Sequence, residues 1–210
     1  MPDAGPRLLL TERDNLLPLL RRTPEDAFDR PTVCTGWSVR DVIAHCAAAL
    51  VRASTGDLHR FTPEDNQGDV DARKQWPVGQ VLDELARGYA MAAGTDVGSA
   101  LALGEWVHGG DVREALGLPD AYASAGIQDA LAVLAEVSIL RALPATEVEL
   151  TDAAGRSLPA GRLRLGDPDA EVRGRLRTDT VGLVRLAANR RPATVVAELR
   201  GVPAEALRVF

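Results

Sequence analysis

The stretch SVRDVIAHCAAALVRA (38–53) limits what this chain can become more than any other. Ser38 followed three residues later by Asp41 is a capping-box-like start, with Asp in place of the usual Glu or Gln. The run behind it is rich in alanine and apolar residues, so the spacing predicts a helix from Val39 to Ala53. His45 lies on its apolar face, with Val42 three residues before it and Ala49 four after. An inward-facing histidine in a helix bundle needs a hydrogen-bond partner or a metal.

A second stretch, GEWVHGGDVREALG (104–117), spaces Glu105, His108 and Asp111 at three-residue intervals. On a helix such neighbours share a face, and a Glu-x-x-His step builds metal sites inside bundles. A solvated polar stripe has the same spacing. Of the three histidines, His45 and His108 fall on predicted helices, and His59 falls in a polar connection and reads as solvent-exposed. Two imidazoles and the Glu105 carboxylate can bind a divalent metal, leaving a fourth position open as in catalytic zinc sites.

Helical spacing also marks 7–22, where Pro18 should kink or loosen the helix, 78–94, and a fourth helix from Val97 to Leu116 with Gly117 as its C-cap. Residues 23–30 read as a short helix or turn, and 54–76 as a long irregular connection. Beyond residue 120 the pattern changes. A helix over 124–141 precedes strand-like runs at 147–150, 162–166 and 170–177, a helix over 178–191, a strand at 195–201 and a terminal helix over 203–210. The order predicts an α+β chain with a four-helix bundle over 1–120 and a small α+β domain over 121–210.

Residues 1–120 carry 19 acids against 12 bases and residues 121–210 carry 11 against 12, giving the net charge of −6. No basic patch points to nucleic acid. No apolar run is long enough to cross a bilayer and no signal-peptide core opens the chain, so a cytoplasmic protein is expected. Cys34 and Cys46 make neither a disulfide framework nor a C-x-x-C pair. Cys46 reads as a small core residue and Cys34 as a loop residue. HExxH, G-x-S-x-G, P-loop and G-x-G-x-x-G motifs are absent.

PTVCTGWSVRDVIAHCAAAL (31–50) and VHGGDVREALGLP (107–119) resemble the two signatures of the mycothiol-dependent maleylpyruvate isomerase family. The resemblance implies a DinB-like four-helix bundle and a small C-terminal domain related to sterol-carrier-like folds. It also implies a divalent metal, commonly zinc, bound by His45, His108 and the carboxylate of Glu105. The family's carboxylate–histidine pair is usually spaced i,i+4, and that position is Gly104 in this chain, so Asp111 is the fallback ligand. Mycothiol is the implied thiol cosubstrate, a small electrophile the partner, and isomerisation or S-transfer the chemistry. A C-terminal arginine lines the family's site, with Arg190, Arg191 and Arg200 as candidates. The altered spacing also admits a second reading, a non-catalytic protein that kept the fold, lost the metal and binds a small apolar ligand.

Overall fold

The computed structural model describes residues 4–57, 62–93, 99–119, 121–152, 154–190 and 198–210. His59, Arg191 and the first half of the strand expected at 195–201 lie outside them. The chain divides into two compact units, Met1–Ala130 and Leu131–Phe210.

In the first unit, α1 (Ala4–Leu20), α2 (Val39–Ser54), α4 (Val78–Ala92) and α5 (Ser99–Ala115) form the bundle, α2 packing on α4 and α5, and α1 on α4 and α5. Leu8, Glu12, Leu16 and Leu20 repeat at four-residue intervals along the buried side of α1, the period of a helix with one face inward. The helix continues past Pro18 to Leu20. The capping box of α2 forms as its sequence predicts. The Ser38 backbone N–H donates to Asp41 Oδ2 at 2.9 Å, and the Asp41 N–H to Ser38 Oγ at 3.3 Å. Gly117 closes α5 with φ of +77°. The Leu118 N–H reaches back to Arg113 O at 3.0 Å, a left-handed closure that glycine adopts without steric cost.

The irregular connection expected over 54–76 is corrected by α3 (Pro63–Arg73). Its start is a second capping box, Thr62 with Asp65, and Pro63 occupies the first turn. Only Asp69 and Val70 are buried on it, so no apolar period marks it in the sequence.

The second unit contains most of α6 (Ile127–Leu140), α7 (Thr180–Ala187) and a four-stranded sheet of order β2-β1-β3-β4. Its strands are β1 (Thr146–Thr151), β2 (Ser157–Leu165), β3 (Gly174–Asp179) and β4 (Glu198–Arg200). β1 pairs antiparallel with β2 and parallel with β3, and β3 pairs antiparallel with β4. Thr146, Val148 and Leu150 point inward, while Glu147 and Glu149 stand opposite Arg175 and Arg177 on the outer face, where cross-strand pairs of opposite charge are favourable. β3 extends to Asp179, and of the two caps the sequence offers for the helix over 178–191, Thr178 and Asp179, it is Asp179 whose Oδ1 accepts from the Gly182 N–H at 2.5 Å, so α7 begins at Thr180. The terminal helix expected over 203–210 is a single 3-10 turn, Ala204–Leu207. The Val209 N–H bonds instead to Ala187 O at 2.9 Å, which draws the chain out of helical register. Among the described residues no helix is long and apolar enough to cross a membrane.

Candidate metal centre

The loop before α2 fixes one donor. Cys34 sits in a tight turn closed by Trp37 N–H to Cys34 O and Thr32 N–H to Trp37 O, both 2.9 Å. Gly36 supplies the positive φ of +83° that the turn requires. The Cys34 N–H donates to Thr32 Oγ1 at 3.1 Å. From this turn the thiol donates to Asp111 Oδ2 at 3.2 Å and lies 3.9 Å from His108 Nδ1.

His108 and Asp111 are one helical turn apart on α5, and His108 Nδ1 meets Asp111 Oδ2 at 3.0 Å. Asp111 is fully buried. The Tyr122 hydroxyl donates to its other oxygen, Oδ1, at 2.6 Å. The glycines between His108 and Asp111 make this arrangement fit. A Cβ on Gly110 would come within 2.5 Å of the Tyr122 ring, and one on Gly109 would overlap the Glu12 carboxylate. Gly110→Ala should therefore displace Tyr122 from Asp111 and cost about 1–3 kcal/mol of stability, read as a lowered urea midpoint. Tyr122→Phe, which removes the hydroxyl without crowding, should cost less.

Cys34, His108 and Asp111 offer sulfur, nitrogen and oxygen atoms all within 4.8 Å of one another, and they are the only such group among the described residues. The Cys34 thiol and His108 Nδ1 both face one carboxylate oxygen. A cation replaces protons at such a focus, because metal ligands bind deprotonated. The donor set suits zinc, which accepts thiolate, imidazole and carboxylate and needs only three protein ligands at an open site.

Of the residues singled out in the sequence, His108 and Asp111 lie inside this group, and His45 and Glu105 outside it. His45 stands beside it, its ring centroid 5.3 Å from that of His108 in edge-on contact and 5.2 Å from the nearest ring centroid of Trp37. Burial lowers its pKa, with the His108 charge adding to the effect and Asp69 opposing it. The imidazole is therefore neutral at pH 7. Glu105 turns into the bundle core, where its carboxyl accepts from the Cys46 thiol while Oε2 has no partner. Desolvation holds it well above the ordinary carboxylate range, and the Cys46 bond opposes this only in part. The Cys46 thiol is likewise pushed up, by burial first and then by Glu105.

The sequence reading missed Cys34 as a donor, Asp69 as the neighbour of His45 and Tyr122 as the partner of Asp111. The Cys-x-Gly-Trp turn was the only signal for the first. In the second unit, Arg190 Nη1 donates to Ala188 O at 3.1 Å. Arg200 pairs with Arg175 across β3 and β4.

Residues 9–109 match the family described as "Mycothiol maleylpyruvate isomerase N-terminal domain". No curated protein matches the chain. Two solved structures are similar over nearly the whole length. The mycothiol-dependent maleylpyruvate isomerase has a TM-score of 0.57 at 17% identity, covering 97% of this chain and 98% of that one. A histidine-to-alanine mutant of that isomerase has a TM-score of 0.55 at 16% identity, with the same coverage. Residues 9–109 thus belong to the mycothiol maleylpyruvate isomerase N-terminal domain family, within a chain that carries the isomerase fold.

Proposed function

We propose that the chain is a metal-dependent, thiol-using enzyme in which Cys34, His108 and Asp111 hold a divalent cation, zinc by the chemistry of the donors, and mycothiol is the thiol. The observation that carries this reading is the convergence of those three donors within 4.8 Å inside a domain of this family. A divalent cation with three protein ligands keeps one position open and favours the thiolate form of a thiol bound there.

The chain's own residues supply the rest. His45, neutral and next to His108, accepts the thiol proton. Asp111, held by Tyr122, keeps the anionic charge that balances the cation. Trp37 forms an apolar wall against His45. The substrate is a small electrophile with a carbon–carbon double bond conjugated to a carbonyl. The thiolate pair forms a C–S bond while the π electrons move to the carbonyl oxygen. Rotation about the resulting single bond and collapse of the enolate expel the thiolate with the double bond restored in the other geometry. Where the enolate carbon instead takes the proton from the His45 imidazolium, the C–S bond stays and the outcome is S-transfer.

Metal analysis of the purified chain should find stoichiometric zinc, lost in His108→Ala. Mycothiol-dependent isomerisation of maleylpyruvate or a related cis-enoyl acid should disappear on chelation and return on adding zinc. Wild-type protein that takes up no metal, or thiol-dependent turnover that survives chelation, would sink the proposal. Chelator-insensitive binding of an apolar ligand with no turnover would favour the non-catalytic reading.

A further inference from the structure

Two rows of charge cross the outer face of the sheet in the second unit. The strand registers set Arg162, Glu149, Arg177 and Glu198 side by side in one row, and Arg164, Glu147, Arg175 and Arg200 in the other. The first row alternates in sign from β2 to β4. The second breaks at its end, where Arg200 stands directly opposite Arg175. Like charges so placed are destabilising.

The neighbours do not relieve this pair. Glu147 reaches Arg175 only at Nε, 3.2 Å away, with side-chain exposures of 54% and 77%, and an ion pair that open to water holds little. Among the described residues no ion pair or hydrogen bond involves the Arg200 side chain. Two other arginines of the face are engaged by carbonyls, Arg177 with Gly155 O and Arg164 with Ala170 O. Nor can the end of β4 swing away. Gly201 follows Arg200 with φ of +83°, and a Cβ there would sit 2.1 Å from Arg173 O. Glycine permits both the turn and the close approach, which pins Arg200 beside Arg175.

The face is a groove enclosing about 830 Å³, lined by five arginines and three glutamates. That leaves an excess of two positive charges in a chain whose net charge is −6. No aromatic side chain lines the groove, so it offers bases no stacking platform. Its apolar residues, Val148, Leu163 and Leu176, alternate with the charged positions and so point to the other side of the sheet. A membrane therefore finds no apolar anchor here.

We propose that Arg175 and Arg200 form a binding site for the phosphoryl group of a small phosphorylated molecule. A guanidinium fork gives two parallel hydrogen bonds to a carboxylate or a phosphate. One fork satisfies a carboxylate, whereas a phosphate ester presents three acceptor oxygens and close to two negative charges, enough for both. The bound dianion matches the excess charge of the groove and removes the repulsion between the two arginines. None of these residues belongs to the donor group of the metal centre, so the site stands or falls independently of the reading given to that centre.

The test is titration of the ¹⁵N-labelled full-length chain with glycerol 3-phosphate, followed through the backbone amides of β3 and β4. The Arg175 and Arg200 amides should shift saturably at millimolar concentration or below. Succinate, a dianion without a phosphoryl group, should bind at least roughly tenfold more weakly. Arg200→Gln should weaken glycerol 3-phosphate binding roughly 10–100-fold without lowering the urea midpoint, because it relieves a like-charge pair. Arg162→Gln, which removes the same charge from the alternating row, should change affinity by no more than about twofold. Shifts that do not saturate, equal binding of succinate, or equal losses in Arg162→Gln and Arg200→Gln would reduce the face to a diffuse positive field and overturn the site. A less stable Arg200→Gln would also overturn it, since Arg200 would then be held by a structural partner. Vesicles containing phosphatidic acid should not bind, and their binding would replace the small molecule with a lipid surface.

Discussion

Glu12→Ala should destabilise the chain by about 3–5 kcal/mol, the cost of leaving a buried charge without its partner, and should cost more than Arg113→Ala. Both side chains are buried. Arg113 Nη2 donates to the two Glu12 oxygens at 2.8 and 2.9 Å, while its Nη1 has no partner among the described residues. The asymmetry follows from chemistry. Desolvation outweighs Arg113 and raises the Glu12 pKa to about 7, so a stranded Glu12 can take up a proton. A stranded arginine cannot lose one. Gly109→Ala should behave like a weaker Glu12→Ala, because the new Cβ would overlap the carboxylate. Urea unfolding of the three variants measures the order, and Arg113→Ala costing as much as Glu12→Ala would refute it.

The same pair sets a pH dependence. The folded state holds the Glu12 proton more tightly than the unfolded chain, whose glutamate titrates near 4.5. Where the native state binds more protons, stability falls as pH rises. The Glu12 contribution should therefore be greatest below about 4.5 and be lost by about 7, and Glu12→Gln should flatten that slope of the wild-type profile.

The parts of the fold that show in the sequence are those with an apolar period or a cap. The four bundle helices carry leucines, alanines and valines at helical spacing, and α2 begins at the residue its capping box marks. α3 was invisible to that logic, since it buries only Asp69 and Val70. The Thr-Pro-Glu-Asp start at 62–65 was a usable signal, because it repeats the capping logic of α2. Strand ends drifted for a different reason: β2 begins at Ser157, in a stretch whose first four residues are exposed, so no alternation announces it. In the site, helical spacing placed His108 and Asp111 on one side of α5. It could not say that Glu105 faces Cys46 in the core, because residues three apart share a face only to within tens of degrees, and a helix at the heart of a bundle is buried on several sides. Cys34 escaped because its placement depends on a turn built by Thr32, Gly36 and Trp37, which has no period to read.

Cys34→Ser should remove most of the metal affinity, and Glu105→Gln should leave it unchanged. The two substitutions separate the donor group in the structure from the ligand set implied by family resemblance. Losing an outer partner of a metal ligand costs roughly 10–100-fold in affinity, so losing a direct thiolate donor costs more. Glu105 is a different case. Burial favours the uncharged form of its carboxyl, and an amide is nearly isosteric with a carboxyl, so Gln keeps the shape and suits the buried environment. Cobalt makes the distinction visible, since a cysteine thiolate bound to Co²⁺ gives a near-ultraviolet charge-transfer band that nitrogen and oxygen donors do not. Cobalt-loaded wild-type and Glu105→Gln proteins should share the band, and Cys34→Ser should lack it. A band absent from the wild type, or zinc lost from Glu105→Gln and retained by Cys34→Ser, would move the metal away from Cys34 and toward His45, Glu105 and His108. The geometry favours the first outcome, because the Cys34 thiol and His108 Nδ1 already converge on one oxygen of Asp111.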